Sequence, residues 1–344
     1  MKIEVLLELL EDDATYVNNA LDLSCMEGAE VTVTGATGLV GLNIITALLH
    51  YNKFLAIKPI SINALSYSCT DELFEYIFRS DNIKSITGDL SDCDFVKSIP
   101  TSDYIIHSAG YGQPGKFLDN KIQTISINTT ATIGLSKRLK NGGSFLYLSS
   151  SEIYSGSDTE PNTESDIGTT TPSHPRASYI ESKRCGETIV NSLRESGVNA
   201  SSARLALAYG PGVRPGDKRV LNQFIEKGLN GSIKLLDSGD AIRTYGYISD
   251  VVIMLLNILI KGKQPVYNIG GKSIVSIKEL ADIIGVEMNV DVRIPPPNKS
   301  FMIEAPKKVG LDLSQIEVEF SHNEYVKLEQ GLRRTIKWIA NYEK

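Results

Sequence analysis

The stretch Glu30-Val-Thr-Val-Thr-Gly35-Ala-Thr-Gly38-Leu-Val-Gly41 decides the fold. An apolar, β-branched run from Val31 to Thr34 ends directly in three glycines at three-residue spacing, and the helical pattern of Leu39 to His50 begins inside them. A glycine fingerprint of this kind signals dinucleotide binding when a strand precedes it and a helix follows, and this one has both neighbours. Gly35 permits a tight turn, Gly38 lets backbone approach a pyrophosphate, and Gly41 lets helix pack closely on strand. The helix N-terminus then offers amides and partial positive charge to the anion.

Outward from this turn, strand and helix alternate. Apolar runs at Ile60–Leu65, Ile83–Thr87, Tyr104–His107, Phe145–Leu148 and Ala200–Leu207 read as strands. Between them, helices are expected at Glu72–Phe78, Asp92–Ile99, Asn120–Leu139 (one long helix) and Tyr179–Glu195. Short apolar strands separated by helices predict right-handed parallel crossovers, hence an α/β protein with a Rossmann-type doubly wound sheet whose ligands sit at the carboxyl ends of the strands. Residues 1–28 read as an amphipathic helical extension with Ile3, Leu6, Leu7 and Leu10 on one side. Beyond Gly210, Pro211, Pro215, Pro265 and Pro295–Pro297 punctuate shorter elements. The expected organisation is therefore the extension, a dinucleotide-binding domain over 29–210, and a smaller α+β substrate-facing lobe over 211–344, from which the chain can return to the first domain.

Composition narrows the function. With 344 residues, 42% of them apolar, the chain can bury a large core. Its formal charge of -6 gives no footprint for nucleic acid or an anionic membrane, so an anionic ligand must be held by local groups. The apolar stretch Val251–Ile260 is about half of the roughly 20 residues a membrane helix needs, and reads as a buried helix. Glu4, Glu8, Glu11, Asp12 and Asp13 stand where a secretion signal has bases and then an unbroken apolar run, so a cytoplasmic location is expected. Cys25, Cys69, Cys93 and Cys185 are far apart, as are the four histidines, so neither disulfides nor a metal site is expected.

The chemistry lies in Tyr179-Ile-Glu-Ser-Lys183, which sets a phenol and an ammonium on one helical face. A phenol with its ordinary pKa near ~10 is a poor base, and a neighbouring cation lowers it. Tyr179 is thus a candidate to take a proton from a hydroxyl while hydride leaves the same carbon. Ser149-Ser150-Ser151-Glu152-Ile153-Tyr154 follows the fifth strand, and Ser150 would steady the developing ketone. Asp89, in Gly88-Asp89-Leu90, stands where a carboxylate accepts from an adenine amino group. At the end of the second strand, Asn63-Ala-Leu-Ser66-Tyr-Ser-Cys69 contains neither an acid for ribose hydroxyls nor an arginine for a 2′-phosphate, so NAD and NADP both stay open.

Taken in order, the glycine turn, Ser150, Tyr179 and Lys183 resemble the extended short-chain dehydrogenase/reductase superfamily, in the epimerase/dehydratase branch that modifies nucleotide-activated sugars. The resemblance runs from Glu30 almost to the C-terminus, through His107-Ser-Ala-Gly110, Asn128, Tyr209-Gly-Pro-Gly212, Arg243-Thr-Tyr-Gly-Tyr-Ile-Ser-Asp250 and Tyr267-Asn268-Ile-Gly270. It implies NAD contacts at Gly35, Thr37, Gly38, Leu39, Gly41, Asp89, Leu90, His107, Ala109, Tyr179 and Lys183. It also implies substrate contacts at Gln113, Asn128, Ser151, Arg176, Arg219 and Arg243, and a homodimer joined by the helices near Asn120–Leu139 and Tyr179–Glu195. Catalysis falls to Ser150, Glu152, Tyr179 and Lys183.

Glu152 and the segment Pro172-Ser-His-Pro175-Arg176-Ala-Ser-Tyr179 look most like UDP-glucuronate decarboxylases, which oxidise C4 of the sugar and recycle their cofactor. Three positions depart from that pattern. Leu207 stands for an asparagine, Ser155 for a glycine, and the loop Gly110-Tyr-Gly-Gln-Pro-Gly115 lacks the usual serine and proline pattern. A 4,6-dehydratase, a 4-epimerase and a catalytically silent dinucleotide-binding scaffold therefore stand beside the decarboxylase reading.

Overall fold

The computed structural model describes residues 2–68, 71–295 and 308–342, so Cys69, Pro296 and Pro297 lie outside the described residues. Helix α1 (Ile3–Ala20) turns Leu6, Leu9, Leu10, Ala14 and Val17 into the core. Then come β1 (Glu30–Thr34), α2 (Leu39–Phe54), β2 (Ser61–Ser66), α3 (Glu72–Phe78), β3 (Ile83–Thr87), α4 (Cys93–Ser98) and β4 (Ser102–His107), in the places expected.

The long helix does not form as one piece. It is replaced by α5 (Pro114–Asp119), α6 (Lys121–Asn128) and α7 (Thr130–Ser136), followed by β5 (Leu139–Ser150), which starts well before Phe145. Asn120 (φ -124°, ψ 53°) and Thr129 (φ -118°, ψ -73°) interrupt the helical path. At the second break the Ile125 carbonyl accepts from both Thr129 N at 3.0 Å and Thr129 Oγ1 at 2.7 Å, and Thr132 Oγ1 donates to Asn128 O at 2.8 Å, a back-bonding by β-branched hydroxyls that bends helices.

Helix α8 (Ala177–Glu195) leads to β6 (Asn199–Leu205), and the run expected to continue to Leu207 leaves the sheet at Ala206 to start β7 (Leu207–Tyr209). Further on lie α9 (Val220–Leu229), β8 (Ser232–Lys234), β9 (Ile242–Tyr247), α10 (Ile248–Lys261) and β10 (Val266–Ile269). The chain ends with β11 (Ser273–Ser276), α11 (Ile277–Met288), β12 (Asp291–Arg293), β13 (Lys308–Val309), α12 (Ser314–Phe320) and α13 (Leu328–Tyr342).

Seven strands form the main sheet in the order β10-β6-β5-β4-β1-β2-β3, every pair parallel. The chain winds outward from β1 in one direction and from β4 in the other, which opens a crevice at their carboxyl ends. A small sheet of β11, β9, β13 and β7 and a β8–β12 pair stand beside it. Helix α10 contains Val251–Ile260 and is buried from Ile248 to Leu259, as its apolar sequence requires. Among the described residues no helix is long and apolar enough to cross a membrane, and no cluster of His, Cys, Asp or Glu is arranged to hold a metal ion.

Candidate active site

A cavity of about 840 Å³ opens at the carboxyl ends of the main strands. Its wall includes Gly35, Thr37, Gly38, Leu39, Gly41, Asp89, Leu90, Ala109, Gln113, Ser150, Ser151, Glu152, Arg176, Tyr179, Lys183, Arg219 and Arg243. Residues 200 positions apart in sequence thus meet in one place. Despite the chain's negative charge, seven basic side chains line the cavity (Lys116, Arg176, Lys183, Arg214, Lys218, Arg219, Arg243) against four acidic ones (Asp89, Glu152, Glu160, Asp217), among the described residues. That surplus suits an anionic ligand.

The glycine turn fits a dinucleotide. Gly35 has φ +69°, and a Cβ there would lie 2.9 Å from the Ala109 Cα, so only glycine serves. A Cβ at Gly41 would run into the Gly35 carbonyl oxygen. Gly38 caps α2 without a side chain, which leaves the first-turn amides facing the cleft. Asp89 lines the same cavity, with Oδ1 accepting from Ser91 N and Ser91 Oγ at 2.8 Å.

His107 and Asn128 lie behind the wall rather than on it. His107 Nε2 meets the Ile127 carbonyl at 3.0 Å and must donate, so Nδ1 accepts from Thr34 Oγ1 at 2.8 Å. Thr34 Oγ1 in turn accepts from Ala109 N at 3.0 Å. Burial pushes the His107 pKa down to about 4, so the ring is neutral and fixes the Ala109 turn to β1. Asn128 donates to Ser182 Oγ at 3.0 Å and accepts from the Tyr147 hydroxyl at 3.3 Å, tying α6 to α8.

At the end of β5, Ser150 Oγ accepts from Glu152 N at 3.2 Å and lines the cavity with Tyr179. The Tyr179 pKa is pushed up to about 12: burial raises it most, the Ser150 hydroxyl lowers it, and the Glu152 charge raises it again. Burial outweighs every charge that acts on the phenol. Lys183 Nζ donates to Leu148 O at 2.7 Å, lies 5.9 Å from the Tyr179 ring centre, and is itself lowered to about 7 by burial. Desolvation overrides the proximity that four-residue spacing suggests.

Glu152 pairs with Arg176 at 2.5 Å, while its Oε2 is buried without a partner. Arg243 extends from β9 into this corner, where burial lowers its pKa and the Glu152 charge raises it. Arg219, at the start of α9, holds Asp217 through Nε–Oδ1 at 3.0 Å and a second nitrogen to Oδ2 at 2.5 Å. Gln113 Oε1 accepts from Lys218 N at 3.3 Å, joining α5 to the start of α9 across the cavity.

Two features escaped the sequence reading. Phe117 stacks on Tyr179 at 4.5 Å with ring planes 12° apart, and the Arg176 guanidinium lies 5.4 Å from its ring centre. No local pattern announces it. Behind Ser150, Glu187 accepts from Ser149 Oγ at 2.5 Å and pairs with Arg204 at 2.8 Å, and Arg204 also donates to the Tyr154 hydroxyl at 2.8 Å. Glu187 lies four residues after Lys183, so the Tyr179–Lys183 spacing extended by one turn finds it.

The family model described as the NAD dependent epimerase/dehydratase family matches residues 31–270. UDP-glucuronic acid decarboxylase 1 of Xenopus tropicalis is 27% identical over 325 residues, covering 92% of this chain and 73% of that protein. The fold is similar to that of an epimerase from Methanothermobacter thermautotrophicus, with TM-score 0.79 and 20% identity over 96% of this chain and 95% of that one. It is also similar to the dTDP-glucose 4,6-dehydratase of Streptomyces venezuelae with NAD bound, with TM-score 0.75 and 21% identity over 91% and 97% of the two chains.

Proposed function

The chain belongs to the NAD dependent epimerase/dehydratase family, and from that premise we propose that it modifies the sugar of a nucleotide-diphospho-sugar by oxidising C4, most like a UDP-glucuronate decarboxylase. The observation that carries this reading is the convergence of Ser150, Glu152, Tyr179 and Lys183 on the wall of the cavity that begins at the glycine turn. When bound, the nicotinamide dinucleotide, NAD or its 2′-phosphorylated form, supplies the hydride acceptor. The amides of Thr37, Gly38 and Leu39 at the entry to α2 hold its pyrophosphate, Asp89 and Leu90 its adenine, and Lys183 the nicotinamide ribose.

On the substrate side, Tyr179 Oη takes the C4 hydroxyl proton while Ser150 donates to the forming carbonyl oxygen. Glu152 handles the proton at the adjacent reacting carbons. Ser151, Gln113 and Arg219 orient sugar and diphosphate, and Arg176 and Arg243 meet a negative group at the far end of the sugar. Phe117 excludes water from the phenol face. The enzyme acts in the cytoplasm as a homodimer joined through α6, α7 and α8.

A second reading, a 4,6-dehydratase or 4-epimerase, draws on Leu207, which lines the cavity where the resembled decarboxylases have asparagine. Incubation with a panel of nucleotide sugars and product mass separates the two. Loss of carbon dioxide from UDP-glucuronate supports the first, whereas loss of water from a neutral hexose nucleotide, or a new isomer by NMR, replaces it with the second. Protein that binds dinucleotide and turns over none of the panel, with no transient nicotinamide absorbance, would be a scaffold.

A further inference from the structure

We propose that Glu187 and Arg204, a buried ion pair behind the cavity, are positioning residues that grip the chain on both sides of the Ser150–Glu152 segment, at Ser149 and at Tyr154. Each grip sets one group of that segment for its own step. The proposal rests on the reading that Ser150 and Glu152 act on the sugar, and deepens it.

Ser149 on β5, Arg204 on β6 and Asn268 on β10 are register partners across three adjacent parallel strands. Such partners share a face, so three polar side chains stand in one buried row where a parallel sheet ordinarily carries apolar ones. Glu187 reaches this row from α8. Its Oε1 accepts from Ser149 Oγ at 2.5 Å and from Arg204 Nε at 3.0 Å, and its Oε2 accepts from a terminal Arg204 nitrogen at 2.8 Å. The other terminal nitrogen donates to the Tyr154 hydroxyl and to the Glu164 carbonyl, both at 2.8 Å. Tyr154 in turn donates to Asn268 Oδ1 at 2.7 Å.

Only Ser150 to Ile153 lie between the two grips. Ser150 Oγ accepts from Glu152 N at 3.2 Å and Ser155 N donates to Glu152 O at 3.0 Å, so the segment is one tight turn whose ends decide where its side chains stand. The helix that carries Tyr179 and Lys183 is keyed to the same place. Three consecutive β5 residues meet α8: a Cβ on Gly186 would run into the Tyr147 hydroxyl, Lys183 Nζ donates to Leu148 O at 2.7 Å, and Glu187 holds Ser149. The phenol is thereby set against the serine. Stability alone gives little reason for the pair, because desolvation offsets its attraction and an apolar pair of similar volume often serves a fold as well. An apolar pair, however, cannot accept from Ser149 and donate to Tyr154 in fixed directions.

Ser149→Ala and Tyr154→Phe each release one grip and leave the ion pair in place, which avoids the unpaired buried charge that a change at Glu187 or Arg204 would create. The test is stopped-flow kinetics of the full chain with NAD and a nucleotide sugar that wild type turns over, together with hydrogen exchange of the amides from 150 to 155. Ser149→Ala is expected to slow the first half-reaction by about tenfold with KM within about twofold, and Tyr154→Phe to slow the later one by about tenfold, so that reduced nicotinamide builds up. Ser149→Ala added to Ser150→Ala should cost less than about twofold more, since it acts through Ser150. Both variants should speed exchange between 150 and 155 by at least about fivefold and leave the other strands of the main sheet unchanged. Wild-type rates in both variants, equal slowing of both half-reactions by each, or a fully multiplied loss in the double variant overturns the proposal, as does unchanged exchange in the segment. Exchange needs no substrate. Wild type that turns over no nucleotide sugar would thus overturn the proposed function, while exchange still decides whether the pair holds the segment.

Discussion

The Lys183 ammonium lies 2.7 Å from the Leu148 carbonyl oxygen, which ties the cation to the strand that carries Ser150 rather than to the Tyr179 hydroxyl. What lowers the phenol pKa against burial is first the Ser150 hydroxyl. Removing that hydroxyl should therefore raise a pKa already pushed up to about 12, so the phenolate fraction at any given pH falls. Ser150→Ala is expected to cut kcat by about 10²- to 10³-fold and to move the rising limb of kcat/KM to higher pH, with Ser150→Thr recovering part of both. Profiles of kcat/KM against pH for the three proteins check this; an unmoved limb would mean that Ser150 acts on substrate alone.

Glu152 holds Arg176 through one oxygen and keeps the other buried and unpartnered in the cavity. That free oxygen suits a proton transfer after the C4 oxidation rather than during it. Glu152→Gln should accordingly spare the first half-reaction and slow the later one by about 10²-fold. Stopped-flow absorbance would then show reduced nicotinamide building up after substrate is added. A variant that loses the first half-reaction and the product together would place Glu152 in substrate binding.

Local signals were the legible ones. The glycine turn, the strand–helix alternation and the Tyr179–Lys183 spacing each lie within a dozen residues, where periodicity and turn chemistry act directly. What sequence could not supply was long-range. Arg214 reaches Phe74 on α3 from 140 positions away in sequence, and Phe117 meets Tyr179 only because α5 folds back over α8. The broken helix after Asn120 was misread for a different reason: the apolar spacing is helical, but Thr129 and Thr132 hydroxyls bond back to the carbonyls four residues before them, which bends a helix without disturbing that spacing. Burial, which sequence spacing does not report, shifts both Tyr179 and Lys183 most.

His107 is wholly buried and ionises near pH 4 in the folded protein, against about 6.5 when exposed to water. Between those values the unfolded chain takes up a proton that the folded chain refuses, so stability falls as pH drops through that window, by up to about 3 kcal/mol in all. Above the unfolded value the contribution is fully present. His107→Gln, which retains a donor for the Ile127 carbonyl, should lose less stability than wild type between pH 7.5 and pH 5. Urea unfolding at the two pH values measures the difference, and equal losses would show that His107 does not drive the acid sensitivity.

Ile122, Ile125 and Ile133 on α6 and α7 are 71%, 40% and 44% exposed, an apolar row on the helices expected to pair in a homodimer. Such a row is costly to leave in water, at roughly 25 cal/mol for each Å² of apolar surface, and burying it against a second copy would recover that energy. A charge placed at its most exposed member must either stay solvated or be desolvated without a partner, and both oppose association. Wild type is therefore expected to sediment as a dimer at micromolar concentration and Ile122→Glu as a monomer, or with dimer affinity lowered at least about a hundredfold. Because Ile122 does not line the cavity, the monomeric variant should retain its dinucleotide affinity, which separates loss of assembly from loss of fold. A wild-type monomer in the ultracentrifuge would mean that the apolar row serves another partner.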